Sequence, residues 1–395
     1  MTSRFLKYIT RTVWVLSFVS FFTDISSEML YPIMPIYLKA IGFSAFLIGL
    51  LEGIAEFVSG FSKGYFGNLS DRIGKRVPFV RIGYSLSAIS KPMLAIFTFP
   101  IWIFFARTLD RLGKGVRTSA RDAILSLEAT PETKGRVFGL HRGMDTLGAT
   151  FGPGLSLLIL FLLGSNDIGN LKLLFLIAFV PGVLSIFLTF LIKDKPVLEK
   201  PSVSNAGFFS FLSYWKIAPK NYKRLVIGLL LFALINSSDV FLLLMVKNTG
   251  ASDMWVIFSY MFYNLVYAIL SLPVGMFADK IGLKNMLVIG IAVFAIVYFM
   301  FATTPTALIV IIAFLLYAFY AASTESVSKA LISNLVEKKD IATAMGFYNG
   351  FNSVMTMFSS IIAGFLWSAF FPALPFFVSA IVAFCVAFYL KVAVK

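Results

Sequence analysis

Long apolar segments separated by short polar connections run through the whole chain. A helix needs about 20 mostly apolar residues to cross the hydrocarbon core of a bilayer, and segments of this length recur along the sequence. The pattern predicts twelve membrane-spanning helices, numbered here as spans one to twelve. Their expected bounds are 12–38, 44–66, 77–98, 101–125, 137–163, 172–192, 224–247, 253–277, 286–303, 306–334, 341–368 and 371–392. The sequence therefore predicts an all-α integral membrane protein.

The longest polar interruption follows span six, is basic and contains three prolines. We interpret it as a cytoplasmic linker, residues 194–223, between a six-helix bundle at 1–193 and a second at 224–395. Within the linker, residues 208–217 have the pattern of an amphipathic helix that lies on the membrane surface.

Composition agrees with this class of protein. Of the 395 residues, 59% are hydrophobic and 13% are charged, whereas soluble proteins carry about 25% charged residues. The mean hydropathy is +0.88. The formal net charge of +15 comes mainly from loops on one side of the predicted spans, so we attribute it to membrane topology and not to nucleic-acid binding. The same bias predicts that both termini are cytoplasmic.

The chain contains one cysteine, Cys385, and one histidine, His141. So few soft ligands argue against a transition-metal site. Neither a nucleophile–histidine pair nor a phosphate-binding loop is visible in the sequence. We therefore expect neither an enzyme nor a bound metal or cofactor, and we expect the energy input to come from a proton gradient.

Three pairs of segments repeat in the same order at an offset of about 210 residues. They are 25–28 with 236–239, 67–76 with 276–284, and 139–143 with 346–350. Because each half has an even number of predicted spans, the repeat is parallel and its pseudo-axis runs along the membrane normal. The repeat supports two related six-helix bundles.

Span four carries a row of charges that lie within an arc of about 120° on one face of a helix. The row comprises Arg107, Asp110, Arg111, Lys114, Arg117 and Arg121. A lone charge at the bilayer centre costs at least about 2.5–3.5 kcal/mol, so these groups must face water, opposite charges or a substrate. Two interpretations stay open. Either Arg107, Arg111 and Lys114 bind an anionic substrate, or the row belongs to a salt-bridge network with the acids of the first half.

Acidic residues at membrane depth are candidates for proton transfer. Asp24 and Glu28 share one face of span one, and Glu56 on span two and Asp145 on span five lie in the same half. Two carboxyl groups on one face favour the retention of a proton between them, so we predict that these four residues couple transport to protons. Lys91, near the outer end of span three, is expected to extend to the membrane interface.

Polar residues of the second half complete the candidate substrate site. Together with Arg142 of span five they are Asn236, Asp239, Tyr263, Asn264, Glu325, Asn349 and Asn352. Asparagine and tyrosine side chains hydrogen bond to a solute, and the tyrosine rings stack on it. Tyrosine also occurs in interface belts, so this second interpretation stays open. Glu325 and Lys329 are four residues apart on one helix and are expected to neutralise each other.

Two motifs resemble the major facilitator superfamily (MFS). The segment Gly67–Arg76 is similar to the signature loop of this superfamily between helices two and three, and 276–284 resembles its degraded second copy. A glycine pattern in span five resembles part of the antiporter motif of helix five. The residues of that pattern are Gly139, Gly148, Gly152 and Pro153. The resemblance implies the MFS fold and alternating access, in which two bundles rock about a central site that opens to each side in turn.

The signature loop also implies a conformational latch. Its residues are Gly67, Asp71, Arg72, Gly74 and Arg76. Asp71 follows the cytoplasmic end of span two and is placed to accept hydrogen bonds from the first turn of a neighbouring helix, where the helix dipole favours an anion.

These observations favour a secondary active transporter, and we expect a proton-coupled antiporter that exports a small organic solute. Two alternatives stay open. One is a proton-coupled importer of an organic anion, such as a phosphate ester, a polycarboxylate or a siderophore-like compound. The other is a membrane receptor without transport activity. We expect a monomer in the plasma membrane, the inner membrane of a bacterium, with the lipid bilayer and a small-molecule substrate as its partners.

Overall fold

The structure is a computed structural model that describes residues 9–394 apart from 32, 44, 164–167, 196–206, 208, 252 and 304–305. All regular structure among these residues is helical. The helices before the linker are α1 (Arg11–Glu28), α2 (Met34–Ala40), α3 (Ala45–Ile73), α4 (Val77–Ile96), α5 (Pro100–Leu127), α6 (Lys134–Leu163) and α7 (Ile168–Thr189). The remaining helices are α8 (Tyr214–Ile217), α9 (Lys220–Ala233), α10 (Val240–Asn248), α11 (Asp253–Ile281), α12 (Leu283–Ala302), α13 (Ala307–Asn334), α14 (Ile341–Ala369) and α15 (Leu374–Ala393).

Contacts divide the chain into two compact units. Unit 1 comprises Met1–Glu128, Met144–Tyr214 and Lys338–Gly350, and unit 2 comprises Ala129–Gly143, Trp215–Glu337 and Phe351–Lys395. Each unit therefore holds most of one half of the chain together with the first turns of a long helix from the other half. That helix is α14 for unit 1 and α6 for unit 2. The linker boundaries expected from the sequence remain predictions.

Two of the predicted spans are interrupted, although we expected both to be continuous. Span one, expected over 12–38, ends as α1 at Glu28 and resumes as α2 at Met34. Span seven, expected over 224–247, breaks between α9 and α10. The sequence has Pro32 and Pro35 at the first break, and proline cannot donate a backbone hydrogen bond. The second break holds Asn236, Ser237, Ser238 and Asp239, which are residue types that favour helix ends. A search for long apolar segments does not register these local signals, which is why the sequence pattern missed both interruptions.

Seven helices among the described residues are long and apolar enough to cross a membrane. They are Lys134–Leu162, Ile168–Thr189, Phe258–Ile281, Leu283–Ala302, Ala307–Asn334, Lys338–Ala369 and Leu374–Ala393. The row of charges removes α5 from this set, and the interruption of span seven leaves α9 with only 14 residues. The predicted number of twelve spans therefore stays a prediction, whereas a multi-pass helical architecture is evident.

In unit 1, α5 packs against α3 and α4, and α7 packs against α1 and α4. The contact between α4 and α5 is close, because a side chain at Gly113 would meet the carbonyl oxygen of Gly83. Small residues allow such an approach between helices in a membrane. This contact fixes the rotation of α5 about its axis and thereby decides which charges of the row face α4.

In unit 2, α13 packs against α11 and α12, and α15 packs against α9 and α12. Aromatic rings fill the space around α12 and α13. The ring centroid of Phe294 lies 3.9 Å from that of Tyr298 and 4.9 Å from that of Tyr320. Because a buried tyrosine hydroxyl needs a hydrogen-bond partner, this aromatic core requires polar groups beside it. The interrupted segment between α9 and α10 supplies them.

Within unit 1, the linker contacts α3 through a 3-10 turn formed by Ser210–Ser213. The Phe211 side chain of that turn is buried, and its ring occupies the space beside Gly64. Residue 208, where the predicted surface helix begins, lies outside the described part of the chain. The proposed position on the membrane surface stays a prediction.

Candidate functional site

Two predicted coupling residues meet in unit 1. The carboxyl groups of Asp24 on α1 and Asp145 on α6 lie next to each other. Arg121 of α5 places its Nη1 atom 4.0 Å from Asp145 Oδ1 and its Nη2 atom 3.2 Å from Asp122 Oδ1. The two facing carboxyl groups therefore lie beside a fixed positive charge.

The contact between α1 and α6 depends on glycine. A side chain at Gly148 would meet the carbonyl oxygen of Phe21, and one at Gly152 would meet the backbone nitrogen of Met29. These two glycines of the predicted helix-five motif let the helices approach closely enough for Asp24 and Asp145 to touch. Pro153 follows inside the same helix, and Gly139 packs on the carbonyl oxygen of Ser271 in unit 2. The antiporter role of this motif remains a prediction.

Glu28 ends α1 one turn after Asp24, and its electrostatic neighbours include Lys114, Arg111 and Asp145. Lys114 is exposed and Arg111 is half-buried, so these two bases of the row are accessible on the side of the acids. The structure thus brings together Asp24, Glu28, Asp145, Arg111 and Lys114, which the sequence nominated separately. The side chain of Glu56 lies outside the described residues.

Lys91 contradicts its predicted position at the membrane interface. It is 3% exposed, its Nζ atom lies 2.8 Å from Asp110 Oδ1, and it donates a hydrogen bond to Ser27 Oγ at 3.3 Å. Arg107 approaches the same carboxylate from the other side, with 3.5 Å between Nη1 and Oδ2. A buried carboxylate needs a paired charge, and the acid on span four is the signal that could have located this lysine inside the bundle.

Arg117 also faces the interior of unit 1. Its guanidinium lies 4.5 Å from the ring centroid of Tyr84 and donates hydrogen bonds to Ser87 Oγ and to Gly83 O. These contacts make Arg117 part of the α4–α5 interface. The charged row of span four therefore divides into three sets: Asp110 and Arg117 contact α4, Arg121 lies beside Asp145, and Arg111 and Lys114 lie near Glu28.

Residues of the predicted latch contact the start of α14 within unit 1. Asp71 at the end of α3 accepts hydrogen bonds from Thr343 N at 2.7 Å and Thr343 Oγ1 at 3.0 Å. Arg76 Nη2 lies 2.6 Å from Asp71 Oδ1 and donates a second bond to Lys338 O at 3.2 Å. Because Thr343 lies in the first turn of α14, the carboxylate satisfies a backbone donor that has no partner within the helix.

The other residues of the loop support this arrangement. Gly67 lies where a side chain would meet the carbonyl oxygen of Ala342. Gly74 has a φ of 70° in the turn between α3 and α4, a conformation that favours glycine. Arg72 lies half-buried in the last turn of α3.

Unit 2 contains an equivalent latch. Asp279 at the end of α11 accepts hydrogen bonds from Gly135 N at 2.7 Å and Arg136 N at 3.1 Å, in the first turn of α6. Arg136 Nε lies 2.9 Å from Asp279 Oδ2. Asp71 and Asp279 occupy corresponding places in the sequence repeat, and each binds the start of a long helix that comes from the other half of the chain.

Arg142 of α6 lies in unit 2 and contacts residues of the second half. Its Nη2 atom is 2.6 Å from Glu325 Oε2 on α13, and its Nε atom donates to Tyr267 Oη on α11 at 2.7 Å. The guanidinium also lies 5.4 Å from the centroid of the Tyr267 ring. Glu325 therefore pairs with Arg142. From the sequence we expected its partner to be Lys329.

Asp239 and Asn236 flank this region from the interruption between α9 and α10. Asp239 Oδ1 accepts a hydrogen bond from Tyr317 Oη at 2.6 Å, and Asn236 Nδ2 donates to Tyr320 Oη at 2.9 Å. The ring of Tyr263 lies 5.1 Å from that of Tyr317, measured between centroids. These predicted substrate-binding residues thus form a connected aromatic and polar wall in unit 2.

The remaining predicted residues are dispersed. Asn264 donates its Nδ2 hydrogen to Tyr260 O at 3.0 Å within α11. Asn349 and Asn352 are half-buried on α14, the first in unit 1 and the second in unit 2. Across the described residues, no group of three or more His, Cys, Asp or Glu side chains is arranged to hold a metal ion.

Buried ion clusters between packed helices, and carboxylates that bind the starts of distant helices, define a multi-pass helical membrane protein with a polar interior. The model of the Major Facilitator Superfamily matches residues 16–261 and 240–394, so the chain belongs to this superfamily of secondary transporters. It is accordingly a transporter of small molecules and not an enzyme.

Two relatives illustrate the range of this similarity. The chain is 35% identical over 367 residues to MJ1317, an uncharacterized MFS-type transporter of Methanocaldococcus jannaschii, with 91% of this chain and 89% of that protein covered. It is 25% identical over 371 residues to the multi-drug resistance efflux pump PmrA of Streptococcus pneumoniae, with 90% and 89% covered.

Solved structures show the same fold. The crystal structure of the human organic anion transporter MFSD10 matches with a TM-score of 0.81 at 15% identity, covering 96% of this chain and 99% of that one. The Escherichia coli fucose:proton symporter FucP matches with a TM-score of 0.77 at 13% identity, covering 98% and 99%. At these identities the likeness concerns the fold alone.

Proposed function

We propose that the protein is a proton-coupled antiporter that exports a small organic solute from the cytoplasm by alternating access. The observation that carries this proposal is the juxtaposition of the Asp24 and Asp145 carboxyl groups beside Arg121, which lies 4.0 Å from Asp145. Two carboxyl groups hydrogen bond to each other only when one of them keeps its proton, because an ionised carboxylate is an acceptor alone. The pair is therefore a binding site for one proton at membrane depth.

The charges around this pair give it a means of release. Arg121 lies 4.0 Å from Asp145, and Lys114 is an electrostatic neighbour of Asp24. Separation of the two carboxyl groups prevents them from sharing a proton, and the nearby positive charges then favour both ionised forms. A movement of α6 relative to α1 would thus be linked to loss of the proton, which is the link that a coupled transporter needs.

The two latches support alternating access. Asp71 and Asp279 each bind the first turn of a long helix whose remainder belongs to the other compact unit. Release of both carboxylates would free α14 and α6 at the ends predicted to be cytoplasmic. In this proposal the latches hold one state of the transport cycle. The protein is a monomer with twelve spans, and both termini lie in the cytoplasm of a bacterial cell.

Export is favoured by the glycine pattern of α6 and by the similarity to the efflux pump PmrA. Import of an organic anion is the second candidate, because Arg111 and the exposed Lys114 remain accessible beside Glu28. The direction of proton flow separates the two candidates.

The test uses protein reconstituted into liposomes with a pH gradient imposed in either direction. Ethidium and carboxyfluorescein serve as cationic and anionic fluorescent solutes. An antiporter takes up solute when the lumen is acidic, whereas a symporter requires an acidic exterior. Asp24→Asn is expected to abolish gradient-driven uptake while exchange at equal pH continues. Glu132→Gln, in an exposed loop, is the matched control. Uptake driven by an acidic exterior would replace the antiport proposal with the import alternative.

A further inference from the structure

The environment of Arg142 is that of a bound organic cation. A carboxylate, Glu325, holds the guanidinium at 2.6 Å, a phenolic oxygen accepts its Nε hydrogen at 2.7 Å, and the face of the Tyr267 ring lies 5.4 Å away. Charge-assisted hydrogen bonds and an aromatic face are the two interactions by which proteins recognise guanidinium, amidinium and ammonium groups. Glu325 and Tyr267 therefore already form a cation-binding cradle.

The cradle and its occupant come from different halves of the sequence. Glu325 and Tyr267 lie on α13 and α11, whereas Arg142 comes from the short portion of α6 that joins unit 2. Asp239, which lies within electrostatic range of both Glu325 and Arg142, adds a second carboxylate. The Oδ1 atom of Asn236 is buried and accepts no hydrogen bond from the described residues. The second half alone thus presents acids, aromatic rings and a spare acceptor.

The pair lies more than two turns inside the ends of its helices and is accessible. Arg142 is eight residues from the start of α6 and Glu325 nine residues from the end of α13, which places them about 12 and 14 Å from those ends. The hydrocarbon core is about 30 Å thick. The side chains of Arg142 and Glu325 are 35% and 45% exposed, so a solute can reach the carboxylate.

A carboxylate between packed helices is destabilised when it loses its counter-charge. If the start of α6 parts from α11 and α13 during transport, Glu325 loses its arginine and a different cation is needed in its place. A solute with a planar positive head and an aromatic body would restore the same contacts. The arginine and the solute then occupy the same site, and the binding of one excludes the other.

We propose that Glu325, Tyr267 and Asp239 form the binding site for the cationic head of an organic substrate, and that Arg142 is a built-in competitor for this site. The chemical class is a monovalent amidinium, guanidinium or aromatic ammonium compound. This proposal rests on the proposed export function, since it names the cargo of that transporter.

The test measures binding to the purified protein in nanodiscs, without any gradient, by isothermal titration calorimetry. The probe is benzamidinium, and benzoate is a control of matched size and opposite charge. Arg142→Gln removes the competitor, Glu325→Gln removes the carboxylate, and a double variant removes both. Lys329→Gln removes a positive charge one turn away on α13 and controls for a general change in potential.

Arg142→Gln is expected to bind benzamidinium at least about tenfold more tightly than the unaltered protein, which corresponds to about 1.4 kcal/mol. Glu325→Gln and the double variant are expected to lose this binding, Lys329→Gln is expected to change it by less than about threefold, and benzoate is expected to gain nothing from Arg142→Gln. Monodispersity and the melting temperature establish that each variant is folded.

The proposal is overturned if Arg142→Gln leaves benzamidinium affinity unchanged, if Lys329→Gln raises it equally, or if binding survives Glu325→Gln. Should Arg142→Gln fail to fold, Arg142→Lys serves instead, because it keeps the charge and loses the bidentate fork; tighter benzamidinium binding supports the proposal and unchanged binding refutes it. Glu325-dependent binding combined with absence of gradient-driven uptake would refute antiport and leave the cation site standing. Gradient-driven uptake without Glu325-dependent binding would refute the cation site and leave the antiport proposal standing.

Discussion

The Asp71 carboxylate accepts two hydrogen bonds from Thr343, one from the backbone nitrogen at 2.7 Å and one from the hydroxyl at 3.0 Å. The two residues are 272 positions apart in the chain. A carboxylate at the start of a helix satisfies unpaired backbone donors and complements the helix dipole. This contact joins the end of α3 to the start of α14, and the corresponding contact of Asp279 joins α11 to α6.

Loss of Asp71 should destabilise the protein strongly. Arg76 is 1% exposed and pairs with Asp71 at 2.6 Å, so Asp71→Ala leaves a buried guanidinium without its carboxylate. We expect the free energy of unfolding to fall by about 3–5 kcal/mol, measured by denaturant titration in detergent. The double variant Asp71→Ala, Arg76→Ala should recover part of this loss, because it leaves no unpaired charge. A double variant as unstable as the sum of the single changes would contradict the pairing.

Each latch should control its own helix start. Asp279→Ala removes the acceptor of Gly135 N and Arg136 N, so hydrogen exchange in the first turn of α6 should rise at least about tenfold. Exchange at Thr343 should change little. Asp71→Ala should give the opposite pattern. Hydrogen-exchange mass spectrometry of the two variants measures both segments in one experiment, and equal effects on both helices would show that the latches do not act separately.

The buried Lys91–Asp110 pair gives a prediction for stability. Lys91→Met removes the cation that lies 2.8 Å from Asp110, while Arg107 remains 3.5 Å from the same carboxylate. The expected loss is near the lower end of about 3–5 kcal/mol, because one counter-charge persists. Lys280→Met, at an exposed position, is the matched control and should change stability by less than about 0.5 kcal/mol. Similar stabilities for the two variants would argue against a buried ion pair.

Gly148 and Gly154 provide a matched pair on one helix. A side chain at Gly148 would meet the carbonyl oxygen of Phe21 and the Cβ atom of Asp24, whereas nothing lies within 4 Å of one at Gly154. Gly148→Ala should therefore displace α6 from α1 and separate Asp24 from Asp145. We expect proton-driven transport to fall about 10- to 100-fold, with Gly154→Ala close to the unaltered rate. Equal rates in liposomes for the two variants would show that this contact does not matter for coupling.

Motifs that are local in sequence were informative about the site. The place of Asp71 after span two predicted an acceptor for the start of a neighbouring helix, and in the structure Asp71 accepts hydrogen bonds from Thr343 at the start of α14. The acids on spans one and five were nominated from their depth in apolar segments, and the structure joins Asp24 to Asp145. A charged residue inside a membrane span needs an opposite charge or water beside it, and it is easy to identify in a sequence because its neighbours are apolar.

Pairings between distant residues were not accessible in the same way. The position of Lys91 was wrong, because its distance from the predicted end of span three suggested solvent while its partner lies on span four. Glu325 was expected to pair with Lys329, but it forms an ion pair with Arg142, which belongs to the first half of the chain. The interruptions of spans one and seven were missed because the flanking residues remain apolar.

The sequence by itself determined the membrane class, the internal repeat and which residue types had to be compensated, because the bilayer excludes unpaired polar groups wherever they occur along the chain. The tertiary structure alone decided the partners. Rotation of each helix about its axis, fixed by close contacts such as Gly83 with Gly113, selects which charges of the row reach α4 and which remain near Glu28. That rotation depends on packing between helices far apart in sequence, and no local pattern encodes it.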